Sequence, residues 1–176
     1  MTDPSRITLR RATENDALAL ADVGSATFVE TFGHLYTFDD LSAFLVGSHS
    51  PEAAKRRLTE RGVGVWLAEP ADGSSPIGYL TIGPCKLPVD NLEPNAGEVR
   101  QLYVRKSWHN QALGARLMQL GLEWLAEQGH SPLYVGVWSE NYGAQRFYER
   151  YGFRKVGEYG FPVGKKIDRE FILKQQ

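Results

Sequence analysis

The sequence is poor in sulfur, with a single cysteine, Cys85, and two methionines among 176 residues. One cysteine cannot form an intramolecular disulfide, which fits a reducing compartment. Its setting, IGPCKLP, carries no pattern that would activate a thiol, so we expect a passive side chain rather than a nucleophile. Basic and acidic side chains balance at 20 against 21. The basic excess typical of nucleic-acid-binding proteins is therefore absent, and we expect no nucleic-acid partner.

Long apolar runs are missing as well. No stretch approaches the 18 or so apolar residues typical of a membrane-spanning helix, and the amino-terminal segment MTDPSRITLRR has no apolar stretch of the signal-peptide kind. We therefore expect a cytoplasmic protein with no membrane partner. Its length fits one domain, taken as residues 1–176.

Two familiar phosphate-binding motifs are absent. There is no GK[ST] triplet, which a P-loop requires. There is also no G-x-G-x-x-G after any predicted strand, which dinucleotide-binding folds require. A nucleotide-binding α/β domain of another family therefore stays only as a remote alternative.

What is present is an alternation of strand and helix patterns. Helices are predicted from Thr13 toward Phe32, in DDLSAFL, in SPEAAKRRLTERG, from about Ala112 to Gly129, and over 141–152. Strands are predicted at 7–12, 63–70, 77–83, 98–104 and 132–139, and in FRKVGEYG and REFILK near the end of the chain. This order predicts a mixed sheet with helices on its faces. The proline-rich segment PCKLPVDNLEPNAG predicts a long irregular loop.

The fourth predicted helix has an apolar stripe. Leu113, Leu117, Leu120 and Trp124 recur at helical spacing and predict one buried face, with Met118, Gly121 and Leu125 beside them.

The stretch KSWHNQALGARLM, residues 106–118, joins a predicted strand to that helix. The first turn of a helix leaves backbone N–H groups without intrahelical partners, and together with the helix dipole they form an anion site. Gly114 has no Cβ and Ala112 has only one, so a phosphate could approach the backbone. On these residues alone an ordinary helix start is the favoured interpretation, since most strand-to-helix turns bind nothing.

Two blocks of sequence resemble the Gcn5-related N-acetyltransferase family. His109–Gly114 occupies the place of the pyrophosphate loop Q/R-x-x-G-x-G/A. The second block, NYGAQRFYERYGF, matches N-x-x-A-x-x-F-Y-x-x-x-G-F through Asn141, Ala144, Phe147, Tyr148, Gly152 and Phe153. The resemblance covers residues 98–158 and implies an α/β (α+β) fold with a mixed, mostly antiparallel sheet of about seven strands and helices on both faces.

The resemblance also implies acetyl-CoA as cosubstrate, with no metal. The residues that it implies for cofactor binding are Leu102, Tyr103, Val104, His109, Asn110, Gln111, Ala112, Leu113, Gly114, Ala115, Asn141 and Ala144. The sequence departs from the family pattern at His109, where Gln or Arg is preferred, and at Ala112, where Gly is preferred. Alanine keeps its N–H and is a better helix former than glycine, so we expect the anion site to survive. Lys106, Arg105 and Arg116 could meet the cofactor phosphates, or could be solvated charges.

Two side chains match catalytic positions of the family. Glu98 matches the general base of some members, and the alternative is a solvated strand end or a pair with Arg100. Tyr148 matches the general acid that protonates the departing thiolate, and the alternative is a core aromatic. For the oxyanion, the resemblance implies a splayed strand end at Leu102–Val104 with a free backbone N–H.

The segment ATFVETFGHLYTFDDLSAFL resembles the bacterial polyamine acetyltransferases of the same family. Aromatic and acidic side chains both attract ammonium groups. We expect His34 and Tyr36 to contact the acceptor, whereas Phe28 and Phe32 are expected in the core. Asp39 and Asp40 could belong to a cation-binding pocket, or could cap the next helix.

The sequence as a whole predicts an N-acetyltransferase that moves an acetyl group from acetyl-CoA to a primary amine of a small molecule, possibly a polyamine, by direct transfer. A CoA-binding regulatory protein without catalysis is the alternative. Homodimerisation is possible.

Overall fold

The computed structural model describes residues 6–176. The first five residues, which belong to the amino-terminal segment considered above, lie outside the described part. The fold is a seven-stranded mixed sheet in the order β1-β2-β3-β4-β5-β7-β6, as the resemblance implies. Its strands are β1 (Ile7–Arg11), β2 (Gly64–Pro70), β3 (Gly78–Pro84), β4 (Gly97–Val104), β5 (Leu133–Trp138), β6 (Phe153–Val163) and β7 (Lys166–Gln175). Its α-helices are α1 (Ala17–Phe32), α2 (Phe38–His49), α3 (Pro51–Thr59), α4 (Leu113–Glu127) and α5 (Tyr142–Glu149).

The helices cover both faces of the sheet. Side chains of α4 and α5 share a core with β3, β4 and β5 on one face. On the other face α1 and α3 pack against β2 and β3, and α2 packs against the end of α1 and β6. The predicted arrangement of helices on both faces is thus confirmed.

Helix starts follow local side-chain chemistry. Thr13 N donates to Asp16 Oδ2 at 2.7 Å, the reciprocal bond of the capping box expected there. Thr37 caps α2, because its Oγ1 accepts from Asp40 N at 3.2 Å. Asp39 and Asp40 therefore lie in the first turn and do not supply the cap, and α2 is longer than the predicted DDLSAFL.

The buried face of α4 differs from the predicted stripe. Leu113 and Leu117 are buried as expected, but Leu120 and Trp124 are only partly buried. Gly121 is buried close to β3, since an added Cβ there would come within 2.9 Å of Leu80 Cδ2. The absent side chain at Gly121 lets the helix approach the sheet, which rotates the contact face toward Met118 and Leu125.

The last two strands are longer than the sequence pattern indicated. They form a hairpin around Gly164, at φ +58°, and β7 inserts between β5 and β6. Pro162 interrupts the strand pattern, yet β6 is an edge strand, where proline is tolerated. The extension places Asp168 inside β7 rather than in a loop.

Strands β4 and β5 are parallel, and they separate soon after they meet. Their pairing consists of Gly97 with Leu133 and Glu98 with Tyr134. On its other side β4 remains paired with β3 up to Val104, with a bulge that leaves Arg100 unmatched. A gap therefore opens between the carboxyl ends of β4 and β5.

Candidate active site

Backbone N–H groups at the end of β4 point into this gap. Arg105 N, just past the strand, donates to Ile77 O at 2.8 Å, on the β3 side. Because strand N–H groups alternate in direction, those of Leu102 and Val104 face the gap. His109 Nε2 lies 2.7 Å from Val104 O and closes this edge from the loop side.

The loop after β4 leads into the amino terminus of α4. Arg116 N donates to Ala112 O at 3.0 Å, so the N–H groups of Leu113, Gly114 and Ala115 precede the first intrahelical bond and are aimed outward. Ala112 is the N-cap residue and is left-handed, at φ 57° and ψ 8°. The expectation based on alanine as a helix former is therefore corrected: Ala112 stands before the helix, in a conformation that favours glycine.

The position that a Cβ of Gly114 would occupy is open. An added Cβ would meet no atom closer than Phe147 Cε2, at 3.9 Å. Nothing in the chain itself therefore requires glycine at this position, and the bare backbone leaves room for a ligand against the first turn of α4.

A groove of about 650 Å³ runs between the end of β4, the start of α4 and α5; we call it the α4–α5 groove. It is lined by Thr31, Leu102, Tyr103, Val104, Trp108, His109, Asn110, Ala112, Leu113, Gly114, Ala115, Asn141, Gly143, Ala144, Arg146, Phe147, Tyr148 and Arg150. Every residue expected at the cofactor except Gln111 lines this groove.

The cations of the groove are not those considered from the sequence. Arg105 Nε donates to Glu30 Oε1 at 2.7 Å, and Arg116 Nη2 donates to Ile7 O at 2.9 Å. Neither lines the groove, nor does Lys106. Arg146 on α5 and Arg150 just after it do, and their spacing of four was a signal available in the sequence.

Asn141 and Tyr148 bracket α5 at the inner end of the groove. Asn141 Oδ1 accepts from Ala144 N at 3.2 Å, the expected helix cap. Tyr148 is 7% exposed and packs edge-on against Phe153, so it belongs to the core as well. Burial raises the pKa of Tyr148 well above its ordinary value, so the phenol stays protonated at neutral pH.

On the opposite face of the sheet lies a cavity of about 170 Å³, which we call the acidic cavity. Its carboxylates are Glu98, Asp168 and Glu170, and its aromatic lining comprises Phe28, Phe32, Tyr36, Phe44, Tyr103, Trp138, Tyr159 and Phe161. Phe28 and Phe32 are buried core residues, as expected, and line the cavity at the same time.

A smaller space of about 60 Å³, which we call the passage, lies in the gap between β4 and β5. Leu102, Tyr103, Asn141, Ala144 and Tyr148 line both the passage and the α4–α5 groove. The acidic cavity shares Phe32, Arg100, Gln101, Tyr103, Gly136, Trp138 and Glu170 with the passage. The groove and the acidic cavity thus meet through the sheet.

Glu98 is buried at the start of β4, being 8% exposed. One carboxylate oxygen accepts from Lys86 N at 2.8 Å. Burial raises the pKa of Glu98, and this hydrogen bond opposes the rise. Arg100 instead donates to Glu60 Oε2 and Pro84 O. A solvated strand end and a hydrogen-bonded pair with Arg100 are therefore not what the structure shows.

The carboxylates of β7 were missed from the sequence. Tyr159 OH donates to Glu170 Oε2 at 2.7 Å, and Tyr36 OH donates to Asp168 Oδ2. Asp168 and Glu170 stand two residues apart and so share one face of the strand. Burial raises the pKa of Glu170, and the charges of Asp168 and Glu98 raise it further. Alternation in DRE, had the strand been extended by one residue, was the signal that could have found them.

Only one of the two residues expected at the acceptor lines the acidic cavity. Tyr36 lines the acidic cavity, whereas His34 is exposed and does not line it. The cavity holds another histidine instead, His49, buried between Phe28 and Phe44. Burial lowers the pKa of His49 to about 4, so it is neutral at physiological pH.

Other chemistry is limited in the described part of the chain. Burial raises the pKa of Cys85 to about 11, which keeps the thiol protonated, as expected for a passive cysteine. Among residues 6–176, no cluster of three His, Cys, Asp or Glu side chains is arranged to hold a metal ion. Over the same range, no helix has the length and apolarity needed to cross a bilayer.

Comparison with known sequences decides the family. The sequence model of the acetyltransferase (GNAT) family matches residues 32–153, which include α4, every lining residue of the groove except Thr31 and every lining residue of the passage except Glu170. The chain belongs to the GNAT acetyltransferase family. It is an acetyl-CoA-dependent N-acetyltransferase whose acceptor is an amine.

Relatives of this GNAT acetyltransferase are similar over nearly their whole length. An uncharacterized N-acetyltransferase from the pepI 3′ region of Lactobacillus delbrueckii subsp. lactis is 27% identical over 94% of each chain. The uncharacterized N-acetyltransferase YuaI of Bacillus subtilis is 25% identical over 89% of this chain and 86% of its own.

Solved structures share the fold. PaiA N-acetyltransferase from Thermoplasma acidophilum, determined in complex with coenzyme A, superposes with a TM-score of 0.75 over 97% of this chain and 98% of its own, at 17% identity. NAA60 of Arabidopsis thaliana, determined with a bisubstrate analogue, superposes with a TM-score of 0.69 over 96% of this chain and 98% of its own, at 14% identity.

Proposed function

We propose that this enzyme binds acetyl-CoA along the α4–α5 groove and acetylates a small cationic amine held in the acidic cavity. The observation that carries the proposal is the passage, which joins the groove on one face of the sheet to carboxylates on the other. The two substrates would meet in the gap between β4 and β5, where direct transfer in a ternary complex requires no covalent enzyme intermediate.

The cosubstrate is held mainly by backbone in this proposal. The outward N–H groups of Leu113, Gly114 and Ala115 receive the pyrophosphate at the positive end of α4. Arg146 and Arg150 add positive charge to the groove, since Arg105 and Lys106 of the loop do not line it. Asn141 meets the pantetheine arm while Oδ1 caps α5.

The thioester then lies at the end of β4. The N–H groups of Leu102 and Val104 face the gap, so one of them donates to the carbonyl oxygen as negative charge develops there, a contribution typically worth about 3–4 kcal/mol of barrier. Tyr148 lines both the groove and the passage and is protonated, so it supplies the proton that the departing thiolate needs.

The acceptor is a small amine with positive charge. Three carboxylates and a wall of aromatic rings favour an ammonium group over a neutral or anionic molecule. We include polyamines among the candidate acceptors because Asp168 and Glu170 lie side by side on β7, where they could attract two amino groups of one molecule.

The proposal is tested by following thiol release from acetyl-CoA with a panel of amines. Spermidine, spermine, lysine amide and 2-phenylethylamine supply cationic acceptors, and glutamate supplies an amine that carries net negative charge. We expect turnover with cationic amines and none with glutamate. Saturable acetyl-CoA binding without turnover on any amine would instead support the non-catalytic CoA-binding protein.

A further inference from the structure

We infer that Glu170, held in place by Tyr159, is the group that accepts the proton which the acceptor ammonium must lose before it attacks the thioester. The inference rests on the proposed function, because it assigns a step of that reaction. It gives the role expected of Glu98 to a different carboxylate and adds a residue that the sequence did not indicate.

The position of Glu170 is the first reason. Among the residues that line the passage, Glu170 is the only carboxylate, and it also lines the acidic cavity. Glu98 lines the acidic cavity but not the passage. A base must reach its proton directly or through one water, and the nitrogen must stand next to the thioester when it loses that proton.

Strand register also places Glu170 nearer than Glu98 to the gap between β4 and β5. Glu98 is paired with Tyr134 of β5, whereas Glu170 is paired with Trp138 at the end of β5. Four strand residues separate these levels, roughly 13 Å along the sheet. The backbone of Glu170 is therefore level with the separated ends of the strands, where Leu102 and Val104 present their N–H groups.

Local packing aims the carboxylate of Glu170. An ideal Cβ added to Gly136 would lie 3.2 Å from Glu170 Oε2 and 3.1 Å from Tyr159 OH. The absent side chain at Gly136 therefore makes the space that these two groups occupy over β5. Tyr159 OH donates to Oε2 at 2.7 Å and fixes the orientation, which leaves Oε1 for a substrate nitrogen.

The carboxylate of Glu98 has a different hydrogen-bond partner from that of Glu170. Its Oε2 accepts from Lys86 N at 2.8 Å, in the loop after β3. That contact fixes it at the end of the cavity farther from the gap, where its charge attracts the acceptor and raises the pKa of Glu170. Glu98 in this account increases the basicity of Glu170 and does not itself take the proton.

The charges around Glu170 are mostly negative or neutral. The titratable and charged groups that share its cavity or passage are Tyr36, His49, Glu98, Arg100, Tyr103, Tyr148, Tyr159 and Asp168. Arg100 is the one permanent cation among them, and its guanidinium is bonded to Glu60 and Pro84 O. Burial and the two neighbouring carboxylates therefore raise the pKa of Glu170 toward the range a base requires.

The proton balance is closed by Glu170, Tyr148, the two substrates and solvent. The ammonium gives one proton to Glu170, and the free amine forms the new C–N bond with the thioester carbon. The C–S bond then breaks, Tyr148 gives its proton to the thiolate, and the phenolate takes the second proton from the nitrogen. Glu170 releases its proton to solvent, so the reaction yields amide, CoA thiol and one proton.

The test compares Glu170→Gln with Glu98→Gln, using the fastest acceptor of the amine panel at saturating acetyl-CoA. The dependence of kcat on pH reports groups in the ternary complex. We expect Glu170→Gln to lose about 100-fold or more in kcat and to lose the acidic limb of the profile, since a positioned base typically contributes about 10²–10⁴-fold. Glu98→Gln should keep an acidic limb, moved to lower pH. Glu123→Gln, an exposed change on α4, is the matched control.

Tyr159→Phe retains the carboxylate of Glu170. This variant therefore tests whether Glu170 is the base if Glu170→Gln does not fold. The hydrogen bond from Tyr159 lowers the pKa of Glu170, so its removal should move the acidic limb to higher pH. Carboxyl ¹³C NMR should show raised pKa values for two glutamates, Glu98 and Glu170, and the signal of Glu170 is the one that Glu170→Gln removes.

The outcomes separate the two claims. If the wild-type enzyme acetylates an amine but Glu170→Gln keeps its acidic limb, or Glu98→Gln loses it, the inference is overturned while the proposed function stands. If Glu170 titrates at an ordinary pKa, the inference is also overturned. If the wild-type enzyme acetylates no amine, both claims fail.

Discussion

At the scale of single residues, Ala112 shows what a family pattern could and could not predict. The sequence predicted a loop at His109–Gly114 before a helix, but it gave no sign of the backbone conformation at Ala112. The structure puts both Asn110 and Ala112 at positive φ. Asparagine enters the left-handed region readily, whereas alanine does so at a cost of about 1–2 kcal/mol.

Ala112→Gly should therefore stabilise the protein. Relief of the left-handed conformation is partly offset by the greater freedom of glycine in the unfolded chain, about 0.5–1 kcal/mol. We expect a net gain of up to about 1 kcal/mol, or a Tm increase of about 2–4 °C. Asn110→Gly is the matched control and should gain less. A lower Tm for Ala112→Gly would show that the loop conformation is not strained.

Tyr148 has structural features that fit both interpretations made from the sequence. It is a core aromatic by burial, and its place at the junction of groove and passage is what a general acid needs. Family resemblance alone could not show that Tyr148 is both buried in the core and adjacent to the passage, because both features depend on where α5 meets the gap between the strands.

Tyr148→Phe should lower kcat by about 100-fold or more and leave the acetyl-CoA Kd nearly unchanged. Tyr142→Phe, on the same helix but 62% exposed, is the control and should change neither. Because burial raises the pKa of Tyr148, its ionisation should produce no basic limb within the usual assay range. Equal losses in kcat and acetyl-CoA affinity would show that Tyr148 acts only through structure.

At the scale of elements, periodicity predicted the strands and helices that form the groove. It missed the carboxylates because they lie on the extended hairpin of β6 and β7. Pro162 and Gly164 interrupt the strand pattern there, and only the ten residue pairs across the hairpin keep Asp168 in register with Phe161. Alternation in DRE could have shown that Asp168 and Glu170 share a face, but cross-strand pairing is not visible in a single strand's sequence, so their meeting with Glu98 in one cavity could not be predicted.

Gly136 on β5 tests the acidic cavity as an element of the site. In Gly136→Ala the added methyl crowds Tyr159 and Glu170, at a cost typical of overpacking, about 1–3 kcal/mol. We expect kcat/KM for the amine to fall roughly 10- to 100-fold, with the acetyl-CoA Kd unchanged. Gly157→Ala, where the nearest atom to the new Cβ is 3.9 Å away, is the strand control. An unchanged kcat/KM would exclude this cavity as the acceptor site.

At the scale of the whole molecule, the site trades stability for function. Glu98 and Glu170 have raised pKa values because the folded protein buries their charge. The folded state then binds more protons than the unfolded state between the ordinary glutamate pKa and the raised value. Stability from these groups therefore falls as pH rises through that window, and the full cost is present above it.

Glu170→Gln should accordingly melt at a higher temperature than the wild-type protein at pH 8, and this advantage should shrink as pH falls toward 4.

Asp16 provides the opposite case. Arg10 lowers the pKa of Asp16 to about 2, so Asp16→Asn should destabilise the protein at neutral pH, with the loss vanishing as pH falls toward 2. Thermal melts across pH check both, and a Glu170→Gln variant less stable at pH 8 would contradict the assigned burial cost.

The central claim is that acetyl-CoA lies against the bare first turn of α4, and calorimetry of acetyl-CoA binding to wild-type protein, Gly114→Leu and Gly47→Leu tests it most directly. Both substitutions place a better helix former at a helical glycine whose Cβ has open space, so neither should destabilise the fold. We expect one-site binding to wild-type and Gly47→Leu, and an affinity loss of tenfold or more, about 1.4 kcal/mol, in Gly114→Leu. Equal binding by all three, or no binding by the wild-type protein, would contradict the account.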